Sequence, residues 1–192
     1  MNKTRLEAFS DAVIAIIMTV MVLELKIPQG ADLAALKPLV PVFLAYVLSF
    51  LYLGIYWNNH HHMLQATRTV NGKVLWANLL LLFWLSLIPF ATGWMGENHF
   101  EPLPTAVYGF VLLMCAVSYS LLVSKLTKHT GGENALLAEA LGSDLKGKIS
   151  LLLYVIAIGL AFVQQNISHV IYLLVALIWF IPDKRIERRI TS

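Results

Sequence analysis

Four long stretches of this chain carry no Asp, Glu, Lys or Arg: Leu39 to Asn59, Val74 to Gly96, Pro102 to Ser124 and Ile149 to Pro182. Roughly 20 apolar residues cross the hydrocarbon of a bilayer as a helix. In lipid, only a helix or a closed barrel satisfies every backbone N–H and C=O. The first three blocks each supply one span. The fourth is long enough for two, with Gln164-Gln165-Asn166 as the turn between them. A further run, Ala12 to Leu23, is short enough to suggest a helix lying on the membrane surface. It is apolar on every face, however, whereas a surface helix needs a strongly polar side. It reads as a span shielded by its neighbours. Its start is too charged for a signal peptide, and no small-residue cleavage site follows.

The expectation is an all-α, polytopic membrane protein with six transmembrane helices in a single domain over residues 1–192. The helices are placed at Arg5–Lys26, Pro38–Leu64, Gly72–Gly96, Leu103–Lys125, Lys148–Gln164 and Ile167–Pro182. At 13% charged residues the chain falls well below the quarter or so typical of soluble domains. Pro28 and Gly30 stop the first helix, Pro102 and Pro104 break the chain before the fourth, and Pro89 should kink the third. Glu133 to Leu145, in the longest connection, reads as a connector or a short surface helix. Cys115 is the only cysteine, so no intramolecular disulfide forms.

Twelve of the fourteen Lys and Arg residues fall on one side of these spans, leaving Lys26 and Lys37 on the other. The positive-inside rule then puts both termini in the cytoplasm of a multi-pass cell (plasma) membrane protein. The basic clusters are topological and lipid-facing, so membrane lipids are expected partners and nucleic acid is not. Trp57, Trp76, Trp94 and Trp179 sit near helix ends, as an interfacial aromatic belt would.

The first helix carries the chemistry. Arg5, Ser10 and Asp11 stand at its mouth, and ionisable groups at membrane depth normally face a bundle interior, a water path or one another. Arg5 and Asp11 lie about 240° apart around the helix, so each must find partners on other helices or in water. The plainer alternative is that Arg5 snorkels to headgroups while Asp11 caps the helix start. Further along, Ala12, Ile16, Thr19, Val20 and Leu23 share one narrow face. Around an axis formed by several copies, that face makes rings of branched apolar side chains, a constriction of the kind that gates by dewetting. Periodicity alone equally allows a helix-packing seam.

The second helix ends Trp57-Asn58-Asn59-His60-His61-His62. Successive helical residues point about 100° apart, so the three histidines cannot converge on one ion, and no metal site is expected. One histidine facing inward as a partner of Ser10 or Asp11 fits better, with Asn78 at the start of the third helix able to join. Glu24 and Lys26 suggest a charged outer vestibule or plain surface charge. No nucleophile stands at a recognisable spacing from a base, so the chain does not read as an enzyme, and no cofactor is implied. A Thr-Val-Gly-Tyr-Gly potassium filter is absent.

The motif Arg5-x-x-x-Phe9-Ser10-Asp11 opening the first of six helices, with the Trp57-x-x-His60 step, resembles the signature of the transmembrane protein 175 potassium channels. The resemblance covers essentially the whole chain and is that of a bacterial single-repeat member; eukaryotic members carry two repeats. It implies a homotetramer around a central pore lined by the first helix, and a potassium-permeable cation channel with modest K⁺ over Na⁺ selectivity. Matched by position after Phe-Ser-Asp, the constriction falls on Ile16, with Leu23 further out and Thr19 between. The polar network of that helix corresponds to Arg5, Phe9, Ser10, Asp11, Trp57, His60 and Asn78. The main rival reading is a proton-coupled secondary transporter relaying protons between Asp11 and a histidine.

Overall fold

The computed structural model describes residues 3–67, 69–129 and 145–180, and among these no residue is in a strand. Arg68, the basic tail after Phe180 and nearly all of the Glu133–Leu145 stretch lie outside them. The helices are α1 (Thr4–Leu23), a short 3₁₀ segment (Leu33–Leu39), α2 (Val40–Gln65), α3 (Gly72–Ser86), α4 (Ile88–Glu97), α5 (Pro102–His129) and α6 (Leu145–Phe180). Five helical stretches are long and apolar enough to cross a membrane, with α3 and α4 together making one of them.

Local chemistry explains the boundaries. The Asp32 side chain accepts from the Ala35 N–H at 3.0 Å and starts the 3₁₀ segment. Pro38 falls inside that segment, so α2 begins two residues later than expected. Asn71 accepts from the Val74 N–H at 3.0 Å and starts α3. Pro89 kinks its span as anticipated. It has no N–H and crowds the carbonyl four residues before it, so the helix breaks at Leu87 and resumes as α4. Past α4, His99 (φ 50°) and Phe100 (φ 63°) turn left-handed, and the Phe100 N–H returns to the Met95 carbonyl at 2.9 Å.

The last element is helical throughout except at Gln164 (φ −155°, ψ 85°), inside the expected turn. Two contacts show that it doubles back there. Ser168 Oγ donates to the Ala157 carbonyl at 2.7 Å, although eleven residues of straight helix span about 16 Å. Trp179 Nε1 donates to Ser150 Oγ at 2.8 Å. α6 is a two-legged antiparallel hairpin.

Helices in lipid gain no hydrophobic drive against each other and hold together by close packing and hydrogen bonds. α5 packs mainly on α6 and α3, and α2 mainly on α4. Small residues allow close approach: a Cβ on Gly96 would sit 2.7 Å from the Val42 Cα of the neighbouring backbone, and one on Gly109 would overlap the Tyr172 side-chain hydroxyl. Polar side chains bind the interior. The Ser49 hydroxyl lies 2.7 Å from Thr92 Oγ1 and 2.9 Å from the Tyr108 hydroxyl, joining α2, α4 and α5. Tyr52 donates to the Tyr172 carbonyl, and Tyr172 to that of Thr105. α1 stands at one side of this core, against α2, α3 and α4.

Candidate pore helix and its anchors

α1 presents three faces, each with its own chemistry. Leu6, Ser10, Ile14, Ile17 and Met21 fall on one side and are buried. About 140° away lie Arg5, Phe9, Ala12, Ile16, Thr19 and Leu23, all exposed, Ile16 by 60% and Leu23 by 80%. The apolar stripe therefore packs against nothing in its own subunit, which removes the intrasubunit seam reading. The Thr19 hydroxyl folds back to the Ile16 carbonyl at 2.9 Å, so the stripe offers little polarity between Phe9 and Leu23.

The buried face is held by a hydrogen-bond chain whose direction is forced. Ser10 donates to the Leu6 carbonyl at 2.8 Å, so its oxygen can only accept from Asn78 Nδ2 at 2.9 Å. That places Asn78 Oδ1 toward His60 Nε2, 2.7 Å away. His60 must then carry its proton on Nε2. All three side chains are fully buried, and α1, α2 and α3 are tied by one relay. Nδ1 of His60 is buried with no partner among the described residues.

Between these faces runs a flank that sequence reasoning only half foresaw. Trp57 Nε1 donates to Asp11 Oδ1 at 3.1 Å. One turn nearer the N-terminus, Glu7 Oε1 lies 3.6 Å from His61 Nδ1. One turn further, Lys3 Nζ donates to the Leu64 and Gln65 carbonyls at 2.9 and 3.0 Å. The last contact places a cation against the final carbonyls and negative dipole end of α2. The His61 ring stacks on Trp57 with centroids 5.8 Å apart, and Gln65 lies 2.8 Å from its Nε2. Lys3, Glu7 and Asp11 recur every four residues, as do Trp57, His61 and Gln65 on the antiparallel helix. That matched spacing was the available signal for the ladder.

Of the predicted residues, the structure joins Ser10, Asn78 and His60 in one chain and Asp11 with Trp57 in another. Arg5 belongs to neither: it is exposed on the stripe face and makes no hydrogen bond or ion pair among the described residues. Phe9 is half exposed beside it. Asp11 and His60 share no hydrogen bond: Asp11 accepts from Trp57, and His60 lies on Asn78. The predicted vestibule is altered too, because Lys26 pairs with Glu97 at 2.8 Å. Two of the four tryptophans expected at a lipid belt turn their indole N–H inward, Trp57 to Asp11 and Trp179 to Ser150.

Residues 5–89, which contain every side chain of both chains, match the family model of the endosomal/lysosomal potassium channel TMEM175. A potassium channel of a Chryseobacterium species is 55% identical over 98% of this chain and 97% of its own length. One from Streptomyces collinus is 31% identical over 92% and 91%. The chain belongs to the TMEM175 family. Its fold also superposes on the crystal structure of a lysosomal potassium-selective channel TMEM175 homologue from Chamaesiphon minutus. That match has a TM-score of 0.78 at 25% identity and covers 99% of this chain and 98% of the other. With its apolar helices, this makes the chain a membrane protein.

Proposed function

We propose that this chain is one subunit of a potassium-permeable channel, in which four copies surround an axis and α1 lines the pore. One observation carries the reading: the Ile16, Thr19 and Leu23 stripe is exposed on a helix whose opposite side is packed and hydrogen-bonded. The naming of its full-length relatives as potassium channels supports the permeant ion. Each leg of α6 is a separate crossing, which brings the spans to six. The basic residues set both termini in the cytoplasm of a cell membrane.

In this arrangement Ile16 forms the narrowest ring and Leu23 a second ring two turns outward. An ion entering an apolar ring sheds part of its hydration shell, and that costs more for Na⁺ than for the larger K⁺. The ring therefore prefers K⁺ without a fitted cage of carbonyls, and selectivity is modest. The Ser10–Asn78–His60 chain and the Lys3–Glu7–Asp11 ladder hold the cytoplasmic half of α1 at fixed rotation, so the stripe stays aimed at the axis. Arg5, on the stripe face one turn below Phe9, stands at the inner mouth.

The decisive measurement is single-channel current from purified protein in a lipid bilayer with K⁺ and Na⁺ on opposite sides. K⁺-favouring current that Ile16→Asn makes leakier to Na⁺ is the expected result. Saturable flux tied to proton movement and running against the K⁺ gradient would replace the channel with a carrier.

A further inference from the structure

Two apolar cavities open at the end of the bundle where α1 stops and α2 begins, and they share a rim. One, of about 730 Å³, lies between the 3₁₀ segment, the start of α2 and the end of α4, with Leu36, Leu39, Val40 and Phe43 on its walls. The other, of about 710 Å³, runs between α1 and α4 along Ile16, Val20, Pro89, Phe90 and Trp94. Glu24 and Glu97 border both. Lys26 spans the rim to Glu97, and His99 stands beside it. Glu24 is the carboxylate left over: it is exposed and makes no ion pair or hydrogen bond among the described residues.

We propose that this double cavity binds a two-chain phospholipid with a primary-ammonium headgroup, of the phosphatidylethanolamine class. The shape asks for one polar head and two apolar tails, and each cavity takes one tail. The charge asks for a zwitterion. Glu24 receives the ammonium and Lys26 the phosphate, while Lys26 and Glu97 neutralise each other. A purely anionic headgroup would face the unpaired Glu24. A choline headgroup has the charge but no N–H, so it forgoes the charge-assisted hydrogen bond that a carboxylate forms with an ammonium. Because Ile16 lines the second cavity, the tail seated there lies against the flank of the proposed pore ring, and lipid retention is a readout separate from ion flow. The site stands on the side of α4 that carries the Pro89 kink, away from the Ser10–His60 chain.

The test uses the full chain in nanodiscs holding equal amounts of phosphatidylethanolamine, phosphatidylcholine and phosphatidylglycerol, with retained lipids counted by native mass spectrometry. The expected result is retention of the ethanolamine lipid over the choline lipid by about tenfold, falling step by step through the mono- and dimethylated headgroups. Glu24→Gln should erase that preference while the assembly keeps its size, and Glu101→Gln, which lines neither cavity, should preserve it. Equal retention of the three lipids by the parent protein overturns the proposal, as does a preference that survives Glu24→Gln. Retention of no phospholipid, which a neighbouring copy seated in the cavities would produce, also overturns it.

Discussion

Ile14 and Ile16 are two residues apart on the same helix, carry the same side chain and live in opposite worlds. Ile14 is wholly buried and Ile16 is 60% exposed. The buried face of α1 must be satisfied atom by atom, because Ser10, Asn78 and His60 each have one possible arrangement. The exposed stripe has no internal partner, and its only shared property is being apolar and branched. One face records what holds the helix in place. The other records what the helix was placed there to meet.

The same substitution on each face tests this contrast. Ile14→Asn should have the largest effect, at about 3 kcal/mol or more, because it strands an amide in packed apolar surroundings. Thermal unfolding in detergent should show the loss. Asn78→Ala comes next. It deprives His60 Nε2 and Ser10 of their partner in a buried site, costing about 1–3 kcal/mol, and it should free α1 to rotate, visible as lower open probability. Asp11→Ala removes one rung of the ladder at a half-exposed site and should cost about 1 kcal/mol, read as weaker assembly and altered gating. Unchanged assembly and open probability in that variant would leave the ladder without a role. Ile16→Asn should change stability by no more than about 0.5 kcal/mol, yet raise Na⁺ leak. This last result sharpens the comparison most. If the stripe faced acyl chains, the amide would carry the cost of a polar group in hydrocarbon, and stability would fall with no change in selectivity.

The helices and the stripe were legible in the sequence because both follow from one-dimensional rules. Uncharged length gives a span, a proline gives a kink, and 100° per residue gives a face. Even the fold-back at Gln164 was visible as three polar residues amid apolar ones. The partners were harder. Asp11 was expected to find a group on another helix, but nothing in spacing distinguishes Trp57 from Asn58 as that group. Lys3 read as a topological charge, while the structure uses it as a cap on the end of α2. Arg5 was placed in the polar network by its motif, yet its azimuth puts it with Ile16 and Leu23. The hydroxyl chain through Ser49, Thr92 and Tyr108 escaped notice because it joins residues more than forty positions apart, and no single helix displays it.

Gly109 leaves α5 no room to slide past Tyr172 of α6. That half of the subunit is a fixed frame, pinned where a tyrosine ring end lies against bare glycine backbone. α1 hangs from α2 and α3 by one short relay and three rungs, all near its N-terminal end, while its far half is held only by the apolar packing of Ile17 and Met21 and by the loop salt link of Lys26. A door hung this way swings at the edge away from its hinges. Motion that opens or shuts the passage should therefore grow toward Leu23 and fade toward Lys3.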